Sequence, residues 1–279
     1  MNKVGILYSR IRQEEKLILQ EAEKKGIELV KVNSRDLIMN GSNHYGFDVL
    51  IDREISHTRA TYALQLFESV GIKTINNYKI ASICGDKVTT SALLQQNGVP
   101  TLDIKVAFTK ESALEAVESM GYPVVLKPVV GSWGRLLARI NDRDSAEAIL
   151  EHKEYLPSTQ SSIFYLQEYI DKPGRDIRAF HIDGETVGAI YRSSDHWITN
   201  TARGGRADLC PLTNEILDIC DQTAAAIGNG ILAIDLIETP NGLMVNEVNN
   251  TAEFRNSIDV FGVNIPALIL DYALKLGTT

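Results

Sequence analysis

Two acidic strands joined by Pro240-Asn241-Gly242 carry the residues best suited to chemistry. In "ILAIDLIE" (231–238) and "LMVNEVN" (243–249), Asp235, Glu247 and Asn249 interrupt an apolar pattern, and an unpaired carboxylate buried there is costly. A three-residue hairpin loop at 240–242 puts Asp235 opposite Glu247, with Asn249 two residues further along the same face. Three oxygen donors then converge. Hard donors of this kind suit Mg²⁺, which accepts one or two carboxylates and completes its octahedron with phosphate oxygens and water. The competing reading is a strand pair whose acids face solvent. "KPVVGSWGR" (127–135) favours the first: Lys127 ends an apolar strand, and Gly131 and Gly134 allow close backbone approach to phosphates. The bland reading is a turn with an incidental lysine. The loop lacks the GK[ST] ending of a Walker A sequence and is no GxGxxG turn.

The arginines are the next candidates. Arg175, Arg178, Arg192 and Arg203 stand beside strand ends or glycines, a cluster suited to an anionic ligand in an acidic protein, although any one of them could simply pair with a nearby acid. Ser9, Arg10 and Arg53 end strands of the first lobe, where open α/β sheets present ligands. The five histidines show no metal-like spacing, and Cys84 has no evident histidine partner, so no thiol nucleophile is expected. The three cysteines form no CxxC pair, which argues for reduced thiols. A net charge of −8 argues against bulk nucleic-acid binding. No apolar run approaches the roughly 18 residues of a membrane span, and "MNKVGILYSR" leads into an acidic helix, so a cytoplasmic protein without a membrane partner is expected.

The elements that must position these residues alternate along the chain. "VGILY" (4–8), an amphipathic helix ending at Gly26, "IELVKV" (27–32), "DVLI" (48–51), helix 59–71 and "KTIN" (73–76) read as a parallel-sheet lobe. A second lobe has helix 86–98, strand 101–108, helix 110–121, strands 122–128 and 135–140, and helix 143–153. The third part reads as more antiparallel: strands 164–170, 175–182, 185–192, 231–238 and 243–249, with helices 213–228 and 265–276. The expected fold class is α/β, becoming α+β towards the C-terminus, divided at 1–83, 84–160 and 161–279.

Taken in order, "CGDK" (84–87), "VVLKP", "GSWGR", "QEYI", "GRDIR", "RGG", "AIDL" and "NEVN" resemble the ATP-grasp superfamily, in the branch that joins amino acids to protein tails. Within that branch the chain is similar to ligases that attach α-aminoadipate to the C-terminal glutamate of a small acidic amino-group carrier protein of the LysW type. The resemblance spans nearly the whole chain. It implies a pre-ATP-grasp domain followed by two ATP-grasp lobes with ATP between them, and a homo-oligomer, dimer or tetramer. It assigns Lys87 and Lys127 to the α- and β-phosphates, Gly131, Ser132, Trp133, Gly134 and Arg135 to a flap, and Gln167, Glu168, Tyr169 and Ile170 to the adenine hinge. Arg175, Asp176 and Arg178 complete the ATP side. Asp235, Glu247 and Asn249 hold Mg²⁺, two ions being expected, while Arg192 and Arg203, and after them Arg178, are expected near an acyl phosphate.

The acidic amino acid is expected at Asn200, Thr201, Asn250, Thr251, Glu253, Phe254, Arg255 and Asn256, and the strand-end position of Ser9, Arg10 and Arg53 makes them candidate substrate or carrier contacts. Glutamate-type members carry Gly-Phe where this chain has Asn256-Ser257, which favours α-aminoadipate and lysine biosynthesis. A glutamate ligase of the arginine route, an enzyme serving both, and a non-catalytic nucleotide-binding regulator are the alternatives.

Overall fold

A computed structural model describes residues 3–39, 45–131, 134–158, 160–199 and 204–278. The N-terminal elements are β1 (Val4–Tyr8), α1 (Gln13–Lys24), β2 (Leu29–Asn33), β3 (Val49–Asp52), α2 (His57–Ser69) and β4 (Lys73–Ile75), forming a parallel sheet of order β2-β1-β3-β4. Its central strands β1 and β3 are apolar runs with helices to cover them, as a parallel sheet requires. The start of α1 is fixed by Glu15, which accepts the Arg12 backbone N–H at 2.7 Å. That places Arg12, Glu14 and Glu15 at the C-terminal edge of the sheet, where ligands meet such sheets.

Two helices follow, α3 (Tyr78–Gly85) and α4 (Lys87–Gln96), the second capped by Asp86, which accepts the Thr89 N–H at 2.8 Å. The next elements are β5 (Ile104–Ala107), α5 (Lys110–Met120), β6 (Val124–Lys127), β7 (Ala138–Ile140), α6 (Arg143–Glu154) and β8 (Phe164–Glu168). The four strands make an antiparallel sheet of order β5-β8-β6-β7. Val124, Leu126, Phe164 and Leu166 bury one face against Ala113, Val117, Ala146 and Leu150 of α5 and α6. The alternate residues Val125, Lys127 and Gln167 therefore face the other way, into a cleft.

The remaining elements are β9 (Arg175–Ile182), β10 (Glu185–Ser193), β11 (Arg206–Cys210), α7 (Asn214–Ile227), β12 (Ile231–Thr239), β13 (Gly242–Asn249), α8 (Ile258–Phe261) and α9 (Ile265–Thr278). Their sheet has the order β11-β10-β9-β12-β13. One face, with Ile177, Ala179, Leu232, Ile234 and Leu236, packs on α7. The opposite face is apolar at one end, where Phe180, Ile182, Ile190 and Ala233 share a core with β1, β3 and α9. At the other end of that same face stand Asp176, Arg178, Arg192 and Asp235. The sheet is thus greasy where it meets the N-terminal lobe and charged where it meets the cleft.

Three sequence expectations are corrected. "FYLQEYI" belongs to the central sheet, because Phe164 and Leu166 complete its apolar face; strand alternation alone does not reveal the partner. Strand β7 begins at Ala138 rather than Arg135, since 134–136 form a turn. The 240–242 hairpin has a two-residue loop, with Thr239 paired to Gly242. Asp235 nevertheless lies opposite Glu247, because a bulge between Leu236–Val245 and Asp235–Glu247 absorbs the missing residue at Asn246. Helices α3 and α8 and strand β11 were not expected; each is short or weakly patterned.

Candidate active site

The bulge is what assembles the acidic side of the cleft. Val245 and Val248 both point into the α7 core, so Asn246 and Glu247 emerge together on the cleft face, followed by Asn249. Asp235 and Arg178 are register partners across β12 and β9, which puts them in one row with Glu247. Opposite them, Lys127 ends β6 and Lys87 begins α4. Lys127 Nζ donates to Asn246 Oδ1 at 2.8 Å, and Lys87 Nζ contacts Glu247 Oε1 at 3.0 Å and Gly131 O at 2.9 Å. Two lysines from one side meet the acids of the other across a cleft of about 1330 Å³, its open mouth included.

Burial tunes these groups. Removal from water pushes the Lys127 ammonium down to about 8 despite Glu247. Burial also opposes the charge of Asp235, but Arg178 and Arg192 outweigh it and hold the carboxyl below its ordinary value. Arg178 grips Asp235 in bidentate fashion at 2.7 and 2.8 Å. Arg192 donates to Asp176 Oδ1 at 2.7 Å and reaches Asp235 Oδ2 at 3.0 Å. Asp176 is held in turn by Thr199 and Lys172. This is an alternating chain of buried charges, of the kind that is stable only while every partner is present.

The rest of the cleft is a slot lined by Leu102, Val125, Tyr169, Ile170, Trp197 and Ile237, apolar enough for a flat heteroaromatic ring. Tyr169 is fixed by Trp197, edge to face at 6.3 Å, and by Arg139, which donates to its hydroxyl at 3.2 Å. Glu168 faces the cleft but accepts the Asp103 N–H at 2.7 Å, so it braces the hinge segment. Gln167, Gly131, Gly134 and Arg135 also line the cleft.

The loop after β13 closes the end of the cleft, and the N-terminal lobe pins it. Asn76 Nδ2 donates to Asn250 O at 2.7 Å, Arg53 Nη1 to Ala252 O at 3.1 Å, and Arg12 Nη1 to Glu253 Oε1 at 3.2 Å. Thr251 and Glu253 line the cleft. A smaller adjoining cavity is bordered by Arg178, Arg192, Glu253, Arg255 and Asn256.

Several expected residues fall elsewhere. Arg175 is out of phase with Asp176 and Arg178, pairs with Glu238 at 2.8 Å and stacks on Tyr191 at 3.9 Å, away from the cleft. Arg53 is buried against Glu15 and the Phe254 ring, and Phe254 is itself core, so both shape the loop and neither borders the cleft. Ser9 donates to Glu54 at 2.7 Å, and Arg10 does not border the cleft. Asn250 serves the loop through its carbonyl. Ser132, Trp133, Asn200, Thr201 and Arg203 lie outside the described residues. Lys172, Asn246, Trp197, Thr199 and Arg12 were missed. Asn246 is invisible to strict alternation, and the only signal for the others was their place inside "EYIDKPGRDIR", "HWITN" and the turn after β1.

The donors fit Mg²⁺. Among the described residues no third carboxylate or histidine joins Asp235 and Glu247, and two carboxylates with an amide leave room for phosphate oxygens. Asn249 Nδ2 is buried without a hydrogen-bond partner, so its amide is uncommitted and can present either end.

A cleft between two antiparallel sheets, with lysines from β6 and α4 on one side and carboxylates on the other, defines an ATP-grasp ligase architecture. The comparisons agree: residues 84–273 match the RimK-like ATP-grasp domain and residues 4–83 the LysX preATP-grasp domain, and the chain belongs to the RimK-like ATP-grasp family. It is 38% identical over 274 residues to the alpha-aminoadipate–LysW ligase LysX of Sulfurisphaera tokodaii, covering 96% of each chain. It is 32% identical to the glutamate–LysW ligase ArgX of the same organism, covering 97% of each. The crystal structure of a RimK domain ATP-grasp protein from Sphaerobacter thermophilus superposes with a TM-score of 0.84 at 25% identity, covering 98% of this chain and 99% of that one. Use of ATP and Mg²⁺ is typical of the family. No helix among the described residues is long and apolar enough to cross a membrane.

Proposed function

We propose that this protein is an ATP-dependent ligase that joins the amino group of α-aminoadipate to the γ-carboxylate of the C-terminal glutamate of a LysW-type carrier protein. The observation that carries this reading is the meeting of Lys87 and Lys127 with Asp235, Glu247 and Asn249 across one cleft, in a chain more alike to the aminoadipate ligases than to the glutamate ligases. A carboxylate is a poor acyl donor. One of its oxygens attacks the γ-phosphorus of ATP, ADP leaves, and the resulting acyl phosphate is attacked by the free amine with loss of phosphate.

The chain's residues supply position and charge. Lys87 and Lys127 bind the phosphates, exchanging Glu247 and Asn246 for phosphate oxygens. The Trp197–Tyr169–Ile170 slot takes the adenine. Asp235, Glu247 and Asn249 would hold Mg²⁺, two ions being expected, which would neutralise phosphate charge. Arg192, fixed by Asp176, faces the developing charge on the acyl phosphate. Glu253 borders both cavities, where it holds the incoming ammonium and takes the proton that must leave before the nitrogen can attack.

The test is ADP release by the purified protein. Sustained ADP release should require ATP, Mg²⁺, the carrier and an acidic amino acid together, and Glu247→Gln should remove turnover while leaving the fold intact. Turnover without the carrier, or full activity of Glu247→Gln at saturating Mg²⁺, would contradict the reading.

A further inference from the structure

Arg178 and Arg192 share Asp235 but are not held alike. Arg192 has a second anchor in Asp176, itself tied to Thr199 and Lys172. Arg178 has Asp235 as its one carboxylate among the described residues, gripped by Nε and Nη2. Arg178 also borders both spaces: the large cleft, and the small adjoining recess, open to solvent, where Glu253, Arg255, Asn256 and Ser257 stand.

A carboxylate whose two oxygens are engaged by one guanidinium, with a second guanidinium on Oδ2, has little capacity left for a divalent cation. Yet Asp235 lies in the same row as Glu247, facing the phosphate-binding lysines. A cation arriving there repels both arginines, and the less anchored one gives way. Its nearest polar alternative is the smaller cavity, where a carboxylate ligand would meet Arg178 and Arg255 while an ammonium meets Glu253.

We propose that Arg178 is an exchangeable counter-ion: it occupies Asp235 in the nucleotide-free protein, and when the cation that accompanies the nucleotide takes Asp235, it turns into the smaller cavity and binds a carboxylate of the acidic amino acid. The identity of that amino acid rests on the ligase reading; the exchange at Asp235 does not. Binding of metal–nucleotide and of amino acid is then coupled, and the coupling is reciprocal.

Calorimetry on the full chain tests this. The affinity for α-aminoadipate is measured without nucleotide, with a non-hydrolysable ATP analogue in a chelator, and with the analogue and Mg²⁺. The third condition should bind about tenfold or more tightly than the other two, within the usual range of such couplings. In parallel, the Mg²⁺ concentration needed for analogue binding is titrated in wild type, Arg178→Met and Arg178→Lys. Removing the competing guanidinium should lower that requirement several-fold in Arg178→Met, less in Arg178→Lys, and should abolish the Mg²⁺-dependent gain for the amino acid. Equal amino-acid affinity in all three conditions, or a raised Mg²⁺ requirement in both variants, would overturn the exchange. Failure of α-aminoadipate to bind in any condition would overturn the ligase reading of that cavity, while the Mg²⁺ titration still decides the exchange.

Discussion

Lys127 is buried and donates to Asn246, and its burial leaves it half-charged near pH 8. A bound phosphate raises that pKa again, so nucleotide binding above pH 8 takes up a proton and weakens as pH rises. We expect nucleotide affinity to fall several-fold between pH 7 and pH 9 (roughly two units around that pKa) and Lys127→Arg to flatten the profile; an unchanged wild-type affinity would contradict the assignment. The sign for stability is the opposite. The folded pKa lies below the ordinary value of 10.5, so between about 8 and 10.5 the unfolded chain binds more protons, and this group's penalty to the nucleotide-free fold is relieved as pH rises. Asp52, at the end of β3, gives a second test. Burial pushes it up to about 7, and its Oδ2 has no hydrogen-bond partner. The folded state holds its proton between 3.8 and about 7, so the cost of burying the charge is absent at low pH and complete above about 7. The stability gained by Asp52→Asn should therefore grow from pH 5 to pH 8, read as a widening Tm difference; a constant difference would contradict it. At this scale the sequence was informative wherever residue type itself dictates chemistry: Lys87, Lys127, Asp235, Glu247 and Asn249 all meet at the cleft. It was uninformative where burial decides, since an arginine near the end of a strand looks the same whether, like Arg192, it borders a cleft or, like Arg53, it is sealed under a loop.

Among the elements, the β12–β13 hairpin and the loop beyond it shape the site. Sequence alternation placed Asp235 opposite Glu247 through a longer turn, whereas the chain uses a tight turn plus a bulge. The two solutions give the same pairing, so residue spacing alone could not separate them. They differ in Asn246, which only the bulge turns towards Lys127. Deleting Asn246 should restore regular pairing, keep Glu247 opposite Asp235 and preserve the fold, yet strengthen nucleotide binding by up to about tenfold, because Lys127 then reaches the phosphates without giving up one charge-assisted hydrogen bond. A deletion variant that binds nucleotide as wild type does would show the bulge to be irrelevant to the site. The loop at 250–257 depends on the N-terminal lobe through Asn76, Arg53 and Arg12. Arg53→Met leaves Ala252 O and Glu15 short of a buried partner, a loss of about 3–5 kcal/mol when such a pair is broken. We expect a lowered Tm and a raised KM for the amino acid, with the KM for ATP little changed. Equal effects on both KM values would mean that Arg53 supports the whole cleft rather than this loop.

Across the whole molecule the apolar cores divide unevenly. One cluster runs from β1, β3 and α9 into the C-terminal sheet, joining the N-terminal and C-terminal lobes, whereas the central sheet keeps its own core with α5 and α6. Across the cleft the central sheet contributes polar contacts such as Lys127 to Asn246, and the backbone bridge of Thr101 to Val245 lies beside it. Polar contacts exchange readily with ligand; a shared apolar core does not. The central lobe is the part expected to close on Mg²⁺–nucleotide, a shift that small-angle scattering would read as a decreased radius of gyration. The lobe order was readable from the sequence because βαβ alternation gives way to antiparallel hairpins. The fusion of first and last lobes was not, because α9 and β1 are joined only by distant packing. The most direct test of the central claim is intact-mass spectrometry of a LysW-type carrier incubated with the protein, ATP, Mg²⁺ and equal concentrations of α-aminoadipate and glutamate. The account predicts a carrier heavier by one α-aminoadipate residue, with one ADP formed per ligation; an unmodified carrier, or one carrying glutamate in about tenfold excess, a gap of about 1.4 kcal/mol, would contradict it.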